Sequence, residues 1–195
     1  MSHKLELEFP PTKPVENVYS DIPTIPSQEV KIQEEIELGI SKVKVGDEIY
    51  CSKSVHRKLD TTSFKREIDI LRASTHPNIV HLKYLVTIDG MIEAMLLQYV
   101  ENARVMVDVK EVSASQFTRW TTELLNTISY LHEKKLVWGD VKPGNVLIRE
   151  DNSIVLIDFG GGFTEGWVDY AKCGTIEGDL EGYHKIVEFL REKIM

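Results

Sequence analysis

The sequence predicts an α+β fold with a sheet-rich first half and a helical second half. Three observations predict it. From Lys31 to Val55, apolar residues tend to alternate with polar ones across the hairpin dipeptide Gly46-Asp47, and two more strand-like runs flank Asp89-Gly90. From Ser113 to Lys134 the period changes: Phe117, Trp120, Leu124, Ile128 and Leu131 fall 3, 4, 4 and 3 residues apart, one stripe of a long helix. The chain has 195 residues, 42% of them hydrophobic, enough for one domain or two small lobes around a real core.

The elements follow in order. Five of the seven prolines (Pro10, Pro11, Pro14, Pro23 and Pro26) fall within residues 1–28, which reads as an extended, partly disordered arm, either a linker or a segment that packs back on the domain or on a partner. Next come three antiparallel strands: one carrying Ile32, Ile36 and Leu38 on one parity, one alternating through Val43 and Val45, and one placing Ile49, Cys51, Lys53 and Val55 on a single face. A helix is expected over TSFKREIDILRAST, with Ser63 as candidate N-cap and Phe64, Ile68 and Leu71 as its apolar face. Glu67 shares that face. Two more strands flank Asp89-Gly90, the long helix follows, and a last helix is expected from about Asp179 to Lys193. The boundaries are residues 1–28 for the arm, 29–100 for a first lobe and 101–195 for a second.

Charge and cysteine content exclude some classes. A net charge of −8 disfavours generic binding to nucleic acid or an anionic membrane. No apolar run approaches the ~20 residues of a membrane-spanning helix, and the first residues lack the apolar core of a signal peptide. Two cysteines, Cys51 and Cys173, make neither a metal spacing nor a disulfide framework, so a reducing compartment is expected, cytoplasmic or nuclear.

The chemistry concentrates in VWGDVKPGNVLIREDNSIVLIDFGGG, Val137 to Gly162. Asp140, Lys142 and Asn145 stand in the spacing D-x-K-x-x-N, and Asp158 follows 18 residues after Asp140. A hairpin turning at Glu150–Ser153 would bring Asn145 and Asp158 together. Phosphoryl transfer needs these residue types: a carboxylate to orient a hydroxyl, a carboxylate and an amide oxygen to hold Mg²⁺, and cations to offset charge on the moving group. Upstream, Lys53 and Glu67 both lie on apolar faces, where either charge alone is costly, so they are expected to pair.

With these residues in view, the chain from about residue 31 resembles the eukaryotic protein-kinase family, through its catalytic loop, its D-F-G motif, the C-helix string FKREIDILRASTHPNIVHL and the strand-to-hinge string MLLQYVEN. It looks closest to small kinase-like proteins of filamentous fungi. The resemblance implies a two-lobed fold, with a β-sheet-plus-C-helix first lobe and a reduced helical second lobe ending at the F-helix. It implies ATP and Mg²⁺ as cofactors. Lys53 would bind the α/β-phosphates and pair with Glu67; Asp140 would position or deprotonate the acceptor; Lys142 would reach the γ-phosphate; Asn145 and Asp158 would ligate Mg²⁺. The main chain of Gln98, Tyr99 and Val100 would receive adenine behind the gatekeeper Leu97, with Cys51 roofing and Leu147 flooring the base. Gly39 would stand for the glycine-rich loop, and Asp179 for the aspartate that braces the catalytic loop.

The chain departs from the family pattern in four places. Gly39 is alone where a G-x-G-x-x-G loop is expected. H-R-D reads Trp138-Gly139-Asp140, so the arginine that meets an activation-loop phosphate is missing, and Trp138 is expected to pack on Phe159. Asp179 follows only 21 residues after Asp158, with no A-P-E string. The last helix is amphipathic, with Leu180, Ile186, Val187 and Leu190 against Glu181, Lys185, Glu188 and Arg191, as suits a helix with one face in water and a domain adapted to end there. Three functions stay open: phosphotransfer to a hydroxyl on protein Ser/Thr or a small molecule; a pseudokinase serving as a nucleotide-binding or regulatory module; and other ATP chemistry, such as nucleotidyl transfer or acyl-phosphate activation.

Overall fold

The computed structural model describes residues 15–55 and 61–195. The first part of the proline-rich arm, including Pro10, Pro11 and Pro14, lies outside the described residues. Eight strands and one helix come first: β1 (Val15–Glu16), β2 (Thr24–Pro26), β3 (Lys31–Glu37), β4 (Ile40–Val45), β5 (Glu48–Ser54), α1 (Thr61–Ala73), β6 (Leu82–Ile88), β7 (Met91–Gln98) and β8 (Arg104–Val105). Then follow α2 (Ala114–Glu133), β9 (Val146–Ile148), β10 (Ile154–Leu156) and α3 (Ile176–Arg191). The first seven strands form one sheet in the order β2-β6-β7-β5-β4-β3, with β1 alongside β7; β8, β9 and β10 form a second. The architecture is α+β in two lobes, the seven-stranded sheet with α1 in the first and the small second sheet with α2 and α3 in the second.

Residues 15–26 are not a detached linker. Val15 pairs with Ile92 in antiparallel register, and Ile25 pairs with Val86 in parallel register. Val15, Tyr19 and Ile25 are buried. Between them the chain straps the outside of α1, where Asp21 accepts from Arg72 at 2.6 Å and the Arg72 guanidinium lies 5.9 Å from the Tyr19 ring. The sheet of the first lobe therefore takes in strands from before residue 29. Apolar burial of Val15 and Tyr19, each worth roughly 1.5–3 kcal/mol, outweighs the disordering tendency of the flanking prolines.

The three-stranded meander β3-β4-β5 forms as expected, but β3 is exposed along its whole length, Ile32 at 71% and Ile36 at 52%. It is the edge strand, so its apolar parity has the cleft and solvent beneath it rather than a core. On β5 the two faces divide cleanly: Tyr50 and Ser52 are buried, while Cys51 and Lys53 face the cleft. The Asp89-Gly90 turn joins β6 to β7 with positive φ at both residues, 49° and 79°, matching the twist of a hairpin.

Helix α1 starts at Thr61, so Ser63 lies inside it and is not its cap. The expected face is right: Phe64, Glu67, Ile68 and Leu71 are buried, with Ile70 beside them. Helix α2 is closed at its start by a reciprocal Ser113–Gln116 capping box, and its Trp120, Leu124, Ile128 and Leu131 are fully buried.

Helix α3 begins three residues before the expected Asp179, because Thr175 caps it by accepting from the Gly178 amide at 3.0 Å. Its buried stripe is Asp179, Gly182, Ile186 and Leu190; Leu180, expected inside, is 37% exposed. A Cβ on Gly182 would stand 2.6 Å from the Val141 Cβ, so this glycine lets α3 press against the loop that carries Asp140. Ile186 and Leu190 are buried and Glu188 and Arg191 exposed, as expected, so the helix does turn one face to water.

Candidate active site

The site is built where β5, α1 and the β9–β10 hairpin meet. Lys53 Nζ donates to Glu67 Oε2 at 2.6 Å and to Asp158 Oδ1 at 2.8 Å. Glu67 is 1% exposed, and its other oxygen accepts from the Phe159 amide at 3.3 Å. Burial alone would lower the Lys53 ammonium, but the two carboxylates outweigh it and hold its pKa above the ordinary lysine value. The lysine therefore stays charged at neutral pH.

On the second lobe, β9 and β10 pair with Val146 opposite Leu156, and the Ile157 amide donates to the Asn145 carbonyl at 3.1 Å. This register places Asn145 and Asp158 at the same end of the hairpin. Asn145 Nδ2 donates to the Asp140 carbonyl at 2.9 Å and to Asp140 Oδ2 at 3.0 Å. Lys142 Nζ donates to Asp140 Oδ2 at 2.6 Å. Trp138 packs on Phe159 with ring centroids 6.1 Å apart, both fully buried, as expected of the tryptophan that replaces a histidine.

A cavity of about 350 Å³ opens between the lobes. Cys51 of the first lobe and Leu147 of the second both line it, together with Leu97, Gln98, Tyr99 and Val100. Lys53, Asn145 and Asp158 line it as well. The Gln98 amide is committed to the His81 carbonyl at 2.8 Å, so the edge offered to a base is the rest of the 98–100 main chain. The Tyr99 ring turns away to Lys42, whose Nζ lies 4.7 Å from its centroid. A second cavity, about 240 Å³, shares Lys53, Glu67 and Asp158 with the first and runs under Leu38 and Gly39.

The roof over that second cavity is the clearest departure from the expected pattern. Glu37 pairs with Ile40, so only Leu38 and Gly39 turn the chain, with Gly39 at φ 81°. The Gly39 carbonyl is tied to the Ser54 amide at 2.8 Å. A tight hairpin thus stands where a glycine-rich loop would lay its amides over phosphates, and Glu37 borders both cavities.

Two residues of the site carried no sequence signal. Thr164 Oγ1 accepts from Lys142 Nζ at 2.9 Å and donates to Asp140 Oδ1 at 3.1 Å, closing a ring of three side chains. A lone threonine in a loop looks like any other polar residue; only its position just past Gly162 could have flagged it. Arg66, next to Glu67, sends its guanidinium to main-chain carbonyls of Val137, Trp138 and Phe159. Asp179, by contrast, sits as expected: 1% exposed, it accepts from the Trp138 and Gly139 amides, both at 2.8 Å, and lies 2.9 Å from His132 Nε2.

The donor set suits a hard divalent cation. Asn145 commits both contacts of its NH₂ group to Asp140, which leaves its Oδ1 as the acceptor available to a cation. Asp158 uses Oδ1 on Lys53 and retains Oδ2. An amide oxygen and a carboxylate oxygen bordering one cavity are the ligand types magnesium prefers.

The environment also fixes the state of Cys51. Burial, aided by the Glu67 and Glu37 charges and opposed by Lys53, pushes its thiol up to about 11. The thiolate fraction near pH 8 is therefore about a hundredfold below that of an unperturbed thiol. Iodoacetamide at pH 8 is expected to label Cys173 at least about tenfold faster than Cys51. Peptide mass spectrometry over a time course measures this, and labelling of Cys51 is expected to rise as pH approaches 11.

Fold and site together define a two-lobed nucleotide-binding domain built for charge at the lobe junction. A family model described as the protein kinase domain matches residues 40–167, and the chain belongs to that family. Among curated relatives it is 30% identical to mitogen-activated protein kinase kinase 7 of Arabidopsis thaliana, over 60% of this chain and 39% of that protein. It is 31% identical to probable serine/threonine-protein kinase MARK-A of Dictyostelium discoideum, over 72% of this chain and 14% of that protein. It is 34% identical to an Aurora kinase of Candida glabrata, over 58% of this chain and 33% of that protein. The chain thus spans well under half the length of these relatives. Membership of the family implies use of ATP with a divalent metal in general terms. Among the described residues, no helix is long and apolar enough to cross a membrane.

Proposed function

We propose that the chain is an ATP- and Mg²⁺-dependent phosphotransferase that moves the γ-phosphoryl group to a hydroxyl acceptor. The observation that carries this is the bridge made by Lys53, which pairs with Glu67 and Asp158 at once beside a cavity that Asn145 also borders. Lys53 would bind the α/β-phosphates. Asn145 and Asp158 would hold Mg²⁺, which neutralises phosphate charge when bound. Asp140, fixed by Asn145, Lys142 and Thr164, would accept a hydrogen bond from the acceptor hydroxyl and orient it at the γ-phosphorus. The acceptor oxygen would form the new P–O bond as the bond from the γ-phosphorus to the β-phosphate oxygen breaks; ADP would leave with that electron pair, and the hydroxyl proton would pass to Asp140. Lys142, 2.6 Å from Asp140, would balance charge on the transferring group.

A serine or threonine of a protein is the acceptor that the relatives' names favour; a small-molecule hydroxyl fits the same chemistry. The WGD-K-P-x-N and IDFGGG strings support placing the chain among small kinase-like proteins of filamentous fungi, and its two cysteines, without a disulfide framework, support a cytoplasmic or nuclear site of action. A pseudokinase is the second reading. It is favoured by the two-residue Leu38–Gly39 turn, which offers phosphates few amides, and by Glu37 beside the same cavity.

Thermal unfolding with and without nucleotide separates the two. Saturating MgATP is expected to raise the melting temperature by several degrees, about 2–3 kcal/mol of stabilisation at a hundredfold excess over Kd. ATP with EDTA is expected to raise it much less. Binding with slow, steady ADP release supports the transferase; binding with none supports the pseudokinase; release of AMP and pyrophosphate points to nucleotidyl chemistry.

A further inference from the structure

Helix α1 carries Glu67, so whatever holds α1 holds the partner of Lys53. Arg66 is the neighbouring residue, and its side chain leaves the helix toward the segment before Asp140. Nη2 donates to the Val137 carbonyl at 2.6 Å; Nη1 donates to the Trp138 carbonyl at 3.1 Å and to the Phe159 carbonyl. Three main-chain oxygens from two separate segments thus converge on one guanidinium. A flat fork of fixed donors can serve such a set; an ammonium cannot.

The slot for this fork is made by missing side chains. A Cβ on Gly139 would stand 2.9 Å from Nη2, and one on Gly161 would stand 3.1 Å from Nη1. Both glycines hold positive φ, 87° and 76°, which turns their peptides around the fork. The two neighbouring helical residues also take opposite ends of one residue: Glu67 accepts the Phe159 amide and Arg66 donates to the Phe159 carbonyl. From the other side, Asp179 holds the amides of Trp138 and Gly139. The main chain leading into Asp140 is therefore gripped by its carbonyls from α1 and by its amides from α3.

We propose that Arg66 is a positioning residue that ties α1, the Asp140 loop and the Asp158 segment into one unit. The bonds its guanidinium makes to Val137, Trp138 and Phe159 all go to main-chain carbonyls, whose charge no modification changes. Placement of Glu67 therefore needs no phosphate on residues 159–178. This rests on the transferase reading for its kinetic consequence, though not for its structural one.

The test uses the full chain with Arg66→Met and, as a variant that keeps charge and most of the bulk, Arg66→Lys. Amide hydrogen exchange is expected to accelerate at least about tenfold in residues 61–73, 137–139 and 158–161, with α2 and α3 unchanged. Where Arg66→Met does not fold, Arg66→Lys decides. In turnover assays, kcat for ADP release is expected to fall at least about tenfold while KM for ATP moves less than about threefold. Phosphatase treatment of the wild type is expected to leave its kcat unchanged. Exchange that stays at wild-type rates, or rises uniformly through the chain, overturns the proposal, as does a change in KM alone or a loss of activity on dephosphorylation. A wild-type protein that releases no ADP sinks the transferase reading instead, and the exchange pattern still decides the role of Arg66.

Discussion

Asp158→Asn is expected to reduce ADP release by at least about a hundredfold while the protein stays folded. The carboxylate has two tasks on one residue: Oδ1 faces Lys53 at 2.8 Å, and Oδ2 is left for a cation. Asparagine keeps the shape and one oxygen but loses the charge that a hard divalent ion needs. The fold has little stake in the change. The Asp158 side chain is 38% exposed, Lys53 retains Glu67, and the backbone sits at φ 59°, a conformation asparagine adopts readily. The melting temperature without nucleotide is therefore expected within about 3 °C of wild type, and the gain from MgATP is expected to shrink toward that seen with EDTA. Wild-type turnover in the variant would show that the cation, if any, is held elsewhere.

The second large effect is on stability. Asp179→Ala is expected to lower the free energy of unfolding by about 3–5 kcal/mol, read from urea denaturation with an unchanged slope. Asp179 is 1% exposed, and its carboxylate receives two amides, from Trp138 and Gly139. Alanine leaves both donors buried without that acceptor, at about 1–3 kcal/mol each, and removes the contact with His132. Against a total stability of about 5–15 kcal/mol for an ordinary domain, that is a large fraction. Asp179→Asn retains one acceptor oxygen and is expected to cost about half as much. Activity should fall with both, because the peptide units held by Asp179 lead directly into Asp140.

The parts of the site that were legible share a cause. Lys53 and Glu67 each broke the pattern of an apolar face, and burying either alone is so costly that the sequence all but states the pair. Asn145 and Asp158 flank a hairpin whose strands and turn are plain, so their meeting at one cavity follows from counting residues. Arg66 and Thr164 stayed hidden because their partners are main-chain carbonyls in one case and side chains 22 and 24 residues away in the other, and neither leaves a spacing. Gly182 and Gly139 were hidden for the opposite reason: each matters through what it lacks. The stretch 15–26 stayed open between a linker and a segment packed back on the domain, because its strands are only two and three residues long and pair with residues far along the chain. On β3, the alternation was real, but alternation says which residues share a side and not what lies there.

The strap over α1 sets an order of events during synthesis. Val15 ends opposite Ile92, 77 positions later, and Ile25 opposite Val86, 61 positions later. At translation rates of roughly 5–20 residues per second, the earliest of these segments waits roughly 4–15 s on the ribosome before its partner exists. During that interval it is a short, partly apolar ribbon with nothing to pair with. Pro23 and Pro26 have no amide hydrogen to give, so the nascent ribbon is a poor template for a neighbouring chain. The same prolines that disguise this segment as a linker would guard it until its place in the sheet is made.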